Sequence, residues 1–195
     1  MVPPSRTTAS PGRALIRTAA LALLATATAL AALPPASALA SSSGKRARRA
    51  VDTHSLFHSR LLWATIDVCN APDQANTVGV RGSMPGDGQA HDTMFMRFRL
   101  QYMNSTSNVW TDLAKGASSG YASVGSGASA RQAGRSFQLS PIAGRPAFTL
   151  RGVVSFQWRH GGAVVAQISR TTSAGRQSLA GSDPAGFSSA TCLIA

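Results

Sequence analysis

The sequence predicts an all-β fold, an antiparallel β-sandwich of about seven or eight short strands, behind an N-terminal signal segment. Three observations carry this expectation. Beyond residue 60, apolar residues recur with a period of two, in runs broken by Gly, Ser, Asn and Pro. Glu is absent and Lys occurs only twice, so the residues that favour long surface helices are missing. Two cysteines, Cys69 and Cys192, bracket the β-like region.

The chain has 195 residues and a formal net charge of +12, with 44% hydrophobic and 13% charged residues. This balance excludes a highly charged disordered chain and a multi-pass membrane protein. The charge is unevenly placed. Residues 1–50 hold seven basic residues and no acid, and the remainder carries +5. The imbalance that hints at nucleic acid is therefore largely N-terminal. The dominance of Arg over Lys, with abundant Ala, fits a high-GC bacterial genome.

Residues 1–40 read as a secretory signal peptide. Arg6, Arg13 and Arg17 form its basic region, residues 18–33 its apolar region, and Ala38-Leu39-Ala40 its small-residue cleavage site. Cleavage is expected after Ala40. The apolar run falls short of the roughly 20 residues of a membrane span, so no stable span is expected after cleavage. Lys45, Arg46, Arg48 and Arg49 nearly balance the charge across the run, which makes a retained signal-anchor the competing expectation. Residues 41–60 read as a flexible basic leader, and the folded domain is expected over 61–195.

Each β element follows from its own text. Residues 61–69 put Leu62, Ala64, Ile66 and Val68 on one face and Trp63, Thr65 and Asp67 on the other. Residues 76–82 form a second short run before a Gly/Pro loop. Over 93–103, Met94, Met96, Phe98, Leu100 and Tyr102 share one face, opposite Phe95, Arg97, Arg99, Gln101 and Met103. Residues 109–113 form a short strand. Residues 114–134 are small and polar and read as a long loop, with a weak strand around 121–124, and 136–139 follow. Over 147–159 the even positions Phe148, Leu150, Val154, Phe156 and Trp158 alternate with Thr149, Arg151, Ser155 and Arg159. His160-Gly161-Gly162 turns this run into 163–171 as a hairpin. Residues 190–194 close the chain.

At the level of fold this pattern resembles immunoglobulin-like and fibronectin-like domains, and the resemblance carries no functional residues with it. An even cysteine count behind a signal peptide reads as one bridge, Cys69–Cys192. It spans 123 residues, too many for the usual inter-sheet bridge of such domains, and ties the first strand to the last. The chain-entropy model gives it about 5 kcal/mol as an upper figure.

The chemistry-bearing residues form no recognisable catalytic, cofactor or metal motif. His54 and His58 have helical ligand spacing but no accompanying Glu. Asp87 and Asp92 flank a Gly-rich loop and are too few for a dedicated calcium site. No GxSxG elbow is present. Asn104-Ser105-Thr106 matches a glycosylation sequon and reads as a turn. The basic residues stand out. If the strand faces are as read, Arg97, Arg99, Arg151 and Arg159 project away from the core, and guanidinium forks suit carboxylate and phosphate. Trp63 and Trp110 are the candidate exposed aromatics. The expectation is a secreted, non-catalytic binding or surface-associated module without a cofactor. Its partner would be an anionic envelope polymer or another extracellular ligand, not intracellular nucleic acid. A small hydrolase with a loop-built site and a structural or adhesive envelope protein are the alternatives.

Overall fold

The computed structural model describes residues 50–114, 116–144, 146–176 and 179–195. The expected signal segment and leader residues 41–49 lie outside the described residues. Among the described residues, nine strands and one short helix follow in the order α1 (Thr53–Phe57), β1 (Trp63–Cys69), β2 (Thr77–Met84), β3 (Asp92–Asn104), β4 (Val109–Asp112), β5 (Ser118–Ser126), β6 (Arg131–Gln138), β7 (Phe148–His160), β8 (Ala163–Thr171) and β9 (Cys192–Ile194). Every pairing of these strands is antiparallel.

The strands make two sheets. The smaller has the order β1-β2-β6. In the larger, β3 and β7 pair along nearly their whole length, with β4 and β5 sharing the far edge of β3, and β8 and β9 that of β7. Period-two alternation directs Met94, Met96, Phe98 and Leu100 of β3, and Leu150, Val154, Phe156 and Trp158 of β7, into the core. Ile66, Val78 and Val80 meet them from the smaller sheet. Two glycines permit the close approach. A Cβ on Gly82 would stand 3.0 Å from Val154, and one on Gly152 would stand 2.7 Å from Val80. The buried Trp158 indole donates from Nε1 to the Pro85 carbonyl at 3.0 Å, which satisfies its polar edge.

The disulfide forms as expected. Cys69 and Cys192 have Cα atoms 5.5 Å apart, and because β1 and β9 belong to different sheets the bridge ties the sheets together. Such a bond is the mark of an oxidising, extracytoplasmic compartment. Among the described residues, no helix is long and apolar enough to cross a membrane.

Two expectations are corrected. The fold begins before Leu61, because α1 belongs to it. Asp52 caps the helix by accepting from Ser55 N at 3.2 Å. Leu56 is buried in the core, and Arg170 Nη2 donates to the Phe57 carbonyl at 2.7 Å. A single turn is too short to show a helical period. The long loop expected over 114–134 is mostly strand. β5 and β6 lack apolar alternation because each pairs on one side only and buries few residues fully. Gly120 and Gly125 in β5 adopt positive φ, 68° and 125°, a conformation open to glycine at little cost.

Candidate anion-binding face

The outer face of the larger sheet carries the four arginines singled out in the sequence. The β3–β7 register places Arg159 opposite Thr93, Arg97 opposite Ser155, Arg99 opposite Val153 and Arg151 opposite Gln101. Paired residues share a face, and each arginine stands at an odd position, so all four lie on the side away from the core. They form a row over two strands, with Arg97 and Arg99 on β3 between the levels of Arg159 and Arg151 on β7, and it extends from the level of residue 93 to that of 101, about 27 Å at about 3.4 Å per residue.

Aromatic rings interleave with this row. The Arg159 guanidinium lies 4.1 Å from the Phe95 ring centroid and 5.4 Å from that of Tyr121, while Arg97 lies 5.3 Å from Tyr121. Arg151 lies 4.4 Å from the Trp110 ring. These contacts place the cations within cation–π reach of the rings. Arg159 also donates from Nε to Gln157 Oε1 at 2.9 Å, and Gln157 donates to Gln167.

One acid serves the row. Asp112 accepts from Arg99 Nη1 at 2.7 Å and from Gln101 Nε2 at 2.8 Å, and Gln101 Oε1 accepts from Arg151 Nε at 2.9 Å. Arg97, Arg151 and Arg159 have no acidic partner among the described residues. Burial pulls the Arg151 guanidinium below its ordinary range, the cost of partly dehydrating a cation. The Nε atoms of Arg97 and Arg99 are buried without a hydrogen-bond partner. Among the described residues, the four arginines of the row face one acid, an excess of three positive charges.

Trp63 corrects the expectation of an exposed ring. It is 8% exposed, because the chain after β8 returns across β1. Ser173 N donates to the Ala64 carbonyl, Ser189 and Ile66 exchange both backbone bonds, and Arg176 stands 5.2 Å from the Trp63 ring. Trp110 is half-buried, with one face engaged by Arg151.

The other candidates are placed as follows. His54 and His58 stack at 4.3 Å on α1, and no group of three metal-ligating side chains forms among the described residues. Asn104 accepts from the amides of Thr106 and Ser107 at 3.0 and 3.1 Å, so the sequon closes a turn. The His160–Asp92 pair was not legible in the sequence. Its Nδ1–Oδ1 distance is 2.5 Å, and Asp92 is fully buried. No serine or threonine hydroxyl bonds to His160 among the described residues. Two strand ends remote in sequence make this pair, and only the β3–β7 register brings them together. Tyr121 was likewise hidden in the low-complexity text of β5, whereas Phe95 was readable on the arginine-bearing side of β3.

No protein-family model matches the chain, and the comparison with curated proteins gives no match. Among solved structures, the Pseudomonas fluorescens alkylpurine DNA glycosylase AlkC bound to DNA containing an abasic site analog is similar at a TM-score of 0.30 and 14% identity. The likeness covers 57% of this chain, which spans 29% of that one, and at this level it carries no argument.

Proposed function

We propose that this chain is a secreted, non-catalytic bacterial protein, a disulfide-tied β-sandwich of immunoglobulin-like or fibronectin-like type, that binds an anionic envelope polymer through Arg97, Arg99, Arg151 and Arg159. The observation that carries the reading is the arginine row itself, three of whose members have no acidic partner among the described residues. Guanidinium N–H groups suit the oxygen atoms of a bound anion. The row's length, about 27 Å, suits an extended chain of charges better than one small ion.

The test is binding to sodium polygalacturonate and sodium polyphosphate, with neutral dextran as the control. The expected result is binding to at least one polyanion, weakened by salt through screening and reduced at least tenfold when Arg97, Arg151 and Arg159 are all changed to Ala. Circular dichroism checks that this variant keeps its strands. Binding equal in the variant and the parent, or insensitive to salt, would overturn the reading.

A further inference from the structure

A polar cleft opens over the outer face of the β1-β2-β6 sheet, away from the arginine row. Its volume is about 340 Å³ and Arg81 lines it. Arg81 Nε donates to Asp67 Oδ2 at 2.7 Å, and Asp67 is buried. Gly79 makes room for that carboxylate, since a Cβ there would stand 2.6 Å from Asp67 Oδ1. The guanidinium is thus anchored by Nε, while its two Nη groups have no protein acceptor among the described residues. Across the ladder, Arg81 lies between Thr65 of β1 and Gly134 of β6, and Gly134 puts no side chain beside it on the β6 side.

Gln74 and Ser136 complete the polar lining. Gln74 is held by its Nε2 bond to Asp183 Oδ2 at 2.7 Å, which keeps Oε1 available as an acceptor. The Ser136 hydroxyl makes no hydrogen bond among the described residues. Asp67 also lines the cleft and is already paired with Arg81, so a second negative charge on a ligand would face that carboxylate. We propose that this cleft binds a polar monocarboxylate of sugar-acid size. Its carboxylate would take the Nη groups of Arg81 in a planar, two-point contact, and its hydroxyls would meet Gln74 and Ser136.

The experiment titrates the protein with sodium glucuronate at constant ionic strength and follows the backbone and arginine side-chain resonances by NMR. Glucose and glucose 1-phosphate serve as the neutral and dianionic comparisons. Saturable shifts are expected at Gln74, Arg81, Gly134 and Ser136 with glucuronate, and at least tenfold weaker responses with the other two. Gly134→Leu fills the cleft while leaving the Arg81–Asp67 pair intact. A Cβ at this position meets nothing closer than the Val80 carbonyl at 3.4 Å; circular dichroism checks that the variant keeps its strands, and glucuronate affinity should fall at least tenfold. Arg81→Lys should weaken binding as well. The absence of saturable shifts up to about 50 mM glucuronate, equal binding of the three probes, or unchanged affinity in Gly134→Leu would overturn the proposal. The triple arginine variant on the other face should bind glucuronate normally, so the two readings fail independently.

Discussion

Gly152 of β7 and Val80 of β2 meet across the two sheets so closely that a Cβ on Gly152 would stand 2.7 Å from Val80 Cγ1. The same atom would stand 2.7 Å from Thr172 Cγ2, so the site is closed from two directions. Gly152→Ala should therefore overpack the interface and destabilise the fold by about 1–3 kcal/mol. The measurement is a urea midpoint that falls with little change in slope. Gly134→Ala, with only an ordinary contact at 3.4 Å, is the control and should stay within about 0.5 kcal/mol of the parent. Equal midpoints for the two variants would mean the sheets do not approach as described.

Leu56→Ala tests whether the one-turn helix is part of the fold. Leu56 is buried against the core, and removing its side chain should cost about 2 kcal/mol or more. A flexible leader would lose nothing. Hydrogen exchange at His58, whose amide donates to the His54 carbonyl at 3.1 Å, should rise in the variant.

The Cys69–Cys192 bridge closes a segment separated by 123 residues and joins strands of different sheets. Replacing both cysteines with Ala should cost about 2–5 kcal/mol. The parent should lose the same stability on reduction and the variant should not respond to reductant. A parent whose midpoint ignores reductant would contradict a stabilising role.

Asp87 supplies a pH signature. Burial pushes its carboxyl above the ordinary range, the Gln89 amide opposes this, and the neighbouring Asp92 carboxylate pushes it up further. The folded protein therefore holds this proton to higher pH than the unfolded chain. The contribution to stability is full below the ordinary carboxyl value of 3.8 and is lost as pH rises through the folded value. Asp87→Asn removes the titration. It should be more stable than the parent at neutral pH, by a margin that shrinks on acidification into the carboxyl range. Denaturation midpoints of the two proteins across pH 3 to pH 7 make the comparison, and a margin independent of pH would refute the linkage.

Much of the architecture was legible in particular residues. The alternation of Met94, Met96, Phe98 and Leu100 against Phe95, Arg97 and Arg99 identified both faces of β3, and the even positions of β7 did the same. The placement of the four arginines follows from those two runs. β5 and β6 were legible only in part, as a weak strand around 121–124 and a short run at 136–139, because edge strands with one solvated side need no apolar period. The Trp63 face was misread for a different reason. Its strand does alternate, but a segment more than a hundred residues later covers its polar side, so both faces of β1 are buried.

The sequence by itself determined the β periodicity of the central strands, the identity of the one cysteine pair, and which residues of β3 and β7 share a face. All of these are local in the chain or follow from composition. Tertiary structure alone decided that Trp63 is covered, that His160 meets Asp92, that Tyr121 and Trp110 lie against the arginine row, and that Arg81 lines a cleft. Each of those contacts joins residues distant in sequence. Strand register and the path of the returning chain bring them together, and no local period encodes either.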